Sequence, residues 1–340
     1  MSEIGVAVLG TGWVAGEHIK SFAKIPDVRV VGLCSRTPEG ARAKAIETGV
    51  ADAKIYNSYE ELLADPDVDA VSLCTPPNQH PEQTILAAKA GKHILIEKAV
   101  ANDPASLSAM VEAVEAAGVK TVVSFVLHWN PEFMWIKKAM GDKAIGDIFY
   151  AEVDYWHNIG PQYLQYRWNV KKEIAGSAWL SAGCHGVDAM RWFVGSEITE
   201  VTAYSNKLNQ EYEYDTNAVG IVKFESGAIG KVSVSFDVKS PYAFNIDLLG
   251  DKGTIRDNHI YANEYYGGGS TDWVTVPTIR PDSGDVSHHP FDGQISHFID
   301  SIRTGVESPL NLADAAKTHR VCYALELSAT EGRSVKISEI

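Results

Sequence analysis

Apolar residues in the first part of the chain come in short, uninterrupted runs. IGVAVLG from Ile4, VRVVGLC from Val28, DAVSLCT from Asp69, HILIE from His93 and KTVVSFV from Lys120 read as strands buried on both faces. Between them lie segments with helical punctuation. Ser58-Tyr59-Glu60-Glu61 has the form of a capping box, and Asp103-Pro104 with Gly118 bracket ASLSAMVEAVEAA as N-cap, first-turn proline and C-terminal glycine. Alternating strand and helix predict an α/β domain over residues 1–124, built on a doubly wound parallel sheet.

After Phe125 the pattern changes. Asn130-Pro131 opens a short helix, IFYAEVDYWHN reads as a strand, and SAWLSAGCHGVDAMRWFVG reads as a helix from Ser177 that stops at Gly195. Then VTAYSNKL, AVGIVKFES, AIGKVSVSFDV, FNIDLLG and TIRDNHIYA follow with turn residues between them. Val232, Val234 and Phe236 alternate with Lys231, Ser233 and Ser235, so one face of the sheet is apolar and the other mixed. Helical patterns return at 294–303 and 312–330. Residues 125–340 are thus expected to form an α+β domain on an open, mainly antiparallel sheet.

Composition narrows the partners. The 340 residues are enough for two domains, and 45% hydrophobic with 22% charged residues is an ordinary globular balance. A net charge of -14 repels nucleic-acid backbones and anionic membrane faces, so neither is an expected partner. Cys34, Cys74, Cys184 and Cys322 show neither a disulfide framework nor zinc spacing, and no metal is expected. No basic segment precedes a long apolar one, which points to a cytoplasmic protein.

Candidate chemistry begins at the first strand's end. Gly10-Thr11-Gly12-Trp13-Val14-Ala15 follows a strand and opens a helix, the context in which a glycine turn lets backbone approach a pyrophosphate. A second strand ends in Ser35-Arg36, a hydroxyl and a guanidinium able to hold a 2′-phosphate, which favours NADP over NAD. If Arg36 only stacks on adenine or lies in solvent, NAD serves instead. The run HILIE ends in Glu97-Lys98. At the carboxyl edge of a parallel sheet this lysine would stand beside the nicotinamide, suited to proton transfer in an alcohol-to-ketone conversion, with Glu97 as compensating charge or cofactor contact. The competing reading is a surface ion pair.

Trp156, His157, Tyr163, Arg167, Trp168 and Asn169 precede the helix of His185. Aromatic faces pack on the C–H faces of pyranoses while Arg, Asn and His satisfy hydroxyls, so this mixture suits a sugar cleft, although these aromatics could also close a core.

Taken together, the glycine turn with His18, Thr75-Pro76-Pro77-Asn78 with His80, Glu97-Lys98 and Gly183-Cys184-His185-Gly186-Val187-Asp188 make the chain resemble the Gfo/Idh/MocA family of NAD(P)-dependent oxidoreductases over nearly its whole length. The resemblance implies a Rossmann domain followed by an α/β domain that binds substrate and forms homodimers or homotetramers through its sheet. It implies oxidation or reduction of a sugar, polyol or cyclitol at a secondary carbon, with Lys98 and His185 at the reacting oxygen and His128 in a loop that reaches substrate. It also adds Thr75, Pro76, Asn78 and His80 to the cofactor contacts.

Two departures stand out: Ala99 replaces the usual proline after Glu-Lys, and Ser181 stands where many members carry an aspartate one turn before the histidine. Ser181 is therefore expected on the substrate side, with Asp188 able to orient His185 instead. Two further classes stay open, a glycoside-cleaving enzyme that recycles bound nicotinamide and a cofactor-sensing binding protein.

Overall fold

The computed structural model describes residues 3–262, 265, 272–281 and 289–340. They divide into two compact units, Met1–Phe125 with Pro290–Ala316, and Val126–His289 with Lys317–Ile340. The first unit ends at Phe125, one residue past the expected cut after 124, and the chain returns to it over Pro290–Ala316.

In the first unit, β1 (Ile4–Leu9), α1 (Trp13–Phe22), β2 (Val28–Cys34), α2 (Pro38–Glu47), β3 (Lys54–Tyr56), α3 (Tyr59–Ala64), β4 (Ala70–Leu73), α4 (His80–Lys89), β5 (His93–Ile96), α5 (Pro104–Ala117) and β6 (Thr121–Val123) alternate along the chain. The strands form a six-stranded sheet in the order β3-β2-β1-β4-β5-β6, and every pair is parallel. β1, β4 and β6 are buried along their full length, as their unbroken apolar runs require. The order reverses between β1 and β4, and that switch point opens a crevice at the carboxyl ends of the two strands. β3 escaped the sequence reading because three residues, only Tyr56 of them buried, carry too little pattern.

Local capping follows the sequence with one change. Ser58 caps α3 by accepting from the Glu61 amide at 3.1 Å, but the Glu61 carboxylate accepts from the amide of Asn57 at 2.9 Å, one residue outside a reciprocal box.

The second unit is built on β7 (Ile148–Trp156), β8 (Ile198–Asn206), β9 (Asn217–Phe224), β10 (Ile229–Ser235), β11 (Ala243–Gly250), β12 (Gly253–Arg256), β13 (His259–Tyr261), β14 (Val274–Thr275) and β15 (Val335–Lys336). Their order is β14-β13-β12-β11-β7-β10-β9-β8-β15. Neighbours are antiparallel except β7 and β10, which run side by side in the same direction. Its helices are α6 (Pro131–Gly141), the short α7 (Tyr166–Asn169) and α8 (Lys172–Ala175), and α9 (Cys184–Val194). α9 lies on the buried face: a Cβ on Gly183 would come 3.3 Å from Val234, and one on Gly186 3.3 Å from Val232. The helix expected from Ser177 thus begins irregularly, with a π turn over Trp179–Gly183 ahead of α9.

The chain closes with α10 (Phe291–Thr304) and α11 (Leu312–Glu331). α10 returns to the first unit because its apolar face covers α1. Phe291 packs edge-on against the rings of Trp13 and His18, Phe298 against Phe22, and Asp292 accepts from Ser21 at 2.6 Å.

The start of α5 offers a direct test of this local physics. Asp103 accepts from the amide of Ser106 at 2.9 Å and from its hydroxyl at 2.7 Å. Asp103→Ala should cost about 1 kcal/mol of stability, read as a lower denaturation midpoint with an unchanged far-ultraviolet spectrum at rest.

Candidate functional site

Gly10 turns the chain out of β1 with φ of 116°, its amide donating to the Cys34 carbonyl at 2.9 Å. A Cβ there would sit 2.4 Å from the Cys74 carbonyl oxygen, so the turn closes on the end of β4 only with glycine. Gly12 is the N-cap of α1, and a Cβ on it would meet nothing within 4 Å. A backbone pressed against β4 on one side and open beyond the helix N-terminus on the other has the shape a pyrophosphate needs. Thr11 and Val14 are half-buried beside it and Trp13 is exposed. At the end of β2 the Ser35 hydroxyl donates to the Thr37 carbonyl at 2.8 Å, and Arg36 is exposed.

The turn after β5 is held from two sides by buried histidines. His18, on the core face of α1, has no exposed surface; its Nδ1 lies 2.8 Å from Ser72 Oγ and 3.4 Å from Cys74 Sγ, and its Nε2 lies 3.3 Å from Glu97 Oε1. Burial disfavours the imidazolium, but Cys74 and Glu97 outweigh it and raise the His18 pKa to about 10. Burial likewise works against the Glu97 carboxylate, yet His18, Ser124 and Lys98 together hold its pKa below the ordinary value. The result is a buried ion pair directly before Lys98.

His80, also without exposed surface, faces the carbonyls of Ala99 and Thr75, each at 2.8 Å. Burial lowers its pKa, while the hydrogen bonds to the two carbonyls work in the opposite direction. Both nitrogens of His80 are thus engaged by backbone. It braces the two loops flanking the crevice through these backbone contacts. Between the braces the Lys98–Ala99 peptide is cis. On the facing loop, the Thr75 hydroxyl donates to Gln83 at 2.6 Å, Pro76 is half-buried and Asn78 is exposed. Sequence reading placed His18 in a pattern without giving it a role. The signal was present: an ionisable residue between Ala15, Ile19 and Phe22, all on the buried face of α1.

In the second unit His185 is buried on α9 and stacks on Tyr155, ring centroids 5.8 Å apart and planes 13° from parallel. The Tyr155 hydroxyl lies 3.4 Å from His157 Nδ1, and His157 Nε2 lies 2.8 Å from the Tyr163 hydroxyl. Tyr155 and His157 therefore share the sheet face that carries α9. Trp156 points the other way, its indole donating to Ser233 at 3.0 Å, beside Asp154 and Lys231. Adjacent strand residues cannot line one cavity wall, so Trp156 and His157 do not form the joint aromatic surface expected of them.

Two further expectations change. Asp188 does not stand as a spare orienter for His185: His128 Nε2 lies 2.6 Å from its Oδ2, and the His128 ring stacks on Trp192 at 3.8 Å. His128 accordingly pins α9 instead of reaching outward. Ser181 donates to Asn169 Oδ1 at 2.7 Å, a neutral contact that ties α7 to the π turn; Arg167 on α7 is exposed and Trp168 half-buried.

Comparison with known proteins agrees with this arrangement. Residues 4–125 match an oxidoreductase family with an NAD-binding Rossmann fold, and residues 133–256 match the GFO/IDH/MocA C-terminal domain. The myo-inositol 2-dehydrogenase of Thermotoga maritima is 26% identical over 98% of this chain and 99% of its own. A 1,5-anhydro-D-fructose reductase of Ensifer adhaerens is 31% identical over 76% of this chain and 77% of its own. The aldose-aldose oxidoreductase of Caulobacter crescentus, solved with glycerol, has a TM-score of 0.84 at 26% identity, covering 98% and 99% of the two chains.

The buried pair predicts a pH signature of stability. With the His18 pKa raised from 6.5 to about 10, its contribution is complete below pH 6.5 and is lost as pH rises toward 10. With the Glu97 pKa lowered from 4.5, its contribution is complete above 4.5 and is lost as pH falls. The double variant His18→Gln/Glu97→Gln removes both ionisations. Melting temperatures across pH should show wild type losing its advantage over the variant between pH 6.5 and 10; parallel curves would mean that the pair does not ionise as described.

Proposed function

Because the chain belongs to the Gfo/Idh/MocA family of oxidoreductases, we propose that it moves hydride between the C4 atom of a nicotinamide and a secondary alcohol or ketone carbon of a sugar, polyol or sugar derivative. The observation that carries this reading is the Lys98 turn, fixed by buried histidines on both sides at the crevice edge beside the Gly10 turn. When bound, the nicotinamide supplies the hydride acceptor or donor. The chain's own residues do the rest. The Gly10–Gly12 backbone takes the pyrophosphate, Lys98 exchanges the proton of the reacting hydroxyl, and His185 assists it from α9.

Arg36, exposed at the end of β2, is free to face a 2′-phosphate, and this favours NADP. The relatives support the substrate class, since those compared act by name on an inositol, an anhydro-sugar and aldoses. Four free cysteines, three of them buried, fit a reducing cytoplasm, and among the described residues no helix is long and apolar enough to cross a membrane.

We assign subunit pairing to the open face of the second sheet. Tyr204 stands opposite Val219 and Thr202 opposite Ile221 on β8 and β9, with Tyr204 72% and Ile221 61% exposed. An exposed apolar cluster on a sheet face suits a homodimer or homotetramer. Ile221→Lys should shift the light-scattering mass of the eluted protein to a smaller species; an unchanged mass would move the interface elsewhere.

Absorbance of reduced nicotinamide, followed with NAD and with NADP over monosaccharides, inositols, keto-sugars and sugar acids in both directions, tests the function. Turnover with one dinucleotide is expected. In that assay Lys98→Met should lower kcat by roughly a hundredfold to ten-thousandfold while NADH or NADPH binding, read by fluorescence, persists. Full turnover in Lys98→Met would remove the assignment. A silent panel combined with nitrophenol release from glycosides would point to recycled cofactor.

A further inference from the structure

Ion pairs are a costly way to fill a core, because desolvation takes back much of what attraction gives, and an apolar pair of similar size often does as well. The His18–Glu97 pair is nonetheless buried where two functional segments meet. His18 projects from α1, the helix that begins at the glycine turn. Glu97 is the residue before Lys98, and its amide donates to the Leu73 carbonyl at 3.1 Å. Whatever fixes the Glu97 side chain therefore fixes the backbone from which Lys98 projects.

The groups around the pair come from every neighbouring element. Ser72 and Cys74 face His18 from the end of β4, and the edge of Phe291 on α10 covers its ring at 5.3 Å. Ser124, after β6, meets Glu97 and is itself in contact with Gln294 of α10, whose amide nitrogen donates to it at 2.9 Å. His80 and Lys98 complete the set of charged or titratable groups within the field of Glu97.

We propose that His18 is a positioning residue: through the Glu97 carboxylate it ties the helix that follows the glycine turn to the Lys98 turn, so that the two halves of the dinucleotide site are set together. This rests on the reading of Gly10–Gly12 and Lys98 as parts of one nicotinamide site. Ser72 fixes one imidazole nitrogen and Glu97 takes the other, which leaves the ring a single orientation. Two rigid segments are thereby joined by one charged contact.

His18→Asn tests this by leaving Glu97 buried without its counter-charge. Burial then drives that carboxyl group toward protonation near neutral pH, and above its new pKa the uncompensated charge should loosen the turn. NADH and NADPH affinity, titrated by fluorescence from about pH 6 to about pH 9, should weaken roughly tenfold with rising pH in the variant and far less in wild type. Adding Glu97→Gln to His18→Asn should abolish that new pH dependence, because neither partner of the contact can then ionise. A filler role would behave differently: uniform weakening that Glu97→Gln does not relieve, or affinity equal to wild type at every pH, would overturn the proposal.

Should His18→Asn fail to fold, Glu97→Gln alone decides. It keeps the imidazole but removes the charged tie, and weaker binding is expected; unchanged binding overturns the proposal. Gly10→Ala separates the underlying reading from this one. If wild type binds neither dinucleotide, or Gly10→Ala binds as well as wild type, the site assignment fails whatever His18 does.

Discussion

Everything at the first unit's crevice hangs on how the turn after β5 is anchored. Two imidazoles with no exposed surface do it, and their surroundings move their pKa values in opposite directions. Burial is equally severe for both, so the partners decide. His18 faces a carboxylate and a thiol, and its pKa rises; His80 faces two carbonyl oxygens, which offset desolvation only in part, and its pKa falls. Charge belongs on the Glu97 side of Lys98, where another charge answers it. On the Ala99 side an imidazole set between two carbonyl oxygens joins two loops.

The second unit solves an analogous problem for His185 with packing. Here β7 and β10 lie parallel in an otherwise antiparallel sheet, and α9 lies across both. Glycines at 183, the N-cap of α9, and at 186 within it bring the helix close to Val234 and Val232, and His185 stacks on Tyr155. The Asp188–His128 contact, three residues further along, stops the helix from rotating on that surface. A histidine held by stacking and helix anchoring keeps its ring plane fixed.

What the sequence made legible was local or periodic. The buried runs of β1 and β4, the Asp103 cap, the glycine turn and the position of Lys98 at a strand end all follow from neighbours within a few residues. Alternation along β7 also carried a signal that went unused, since period two alone puts Trp156 and His157 on opposite faces. Other features depend on matches between distant segments. The amphipathic pattern of α10 says that a face is buried but not that α1 covers it, and nothing near Asp188 in the chain names His128 as its partner. His80 illustrates the limit: its position near the crevice was legible, but its engagement by two backbone carbonyls exists only once the Thr75 and Ala99 loops are folded together.

The substitution at Ser181 gains a physical meaning in this light. Where the family resemblance leads to an expected acid, this chain places a hydroxyl that donates to Asn169, so no charge is added one turn before His185. Elsewhere each buried carboxylate near the candidate residues is answered by a base from another element: Glu97 by His18, Asp188 by His128, Asp154 by Lys231. Acids matched in this way contribute shape more than net field. In the proposed reaction, proton exchange would depend on where Lys98 and His185 are held, and the residues that hold them would matter to the chemistry as much as the groups that would touch the substrate.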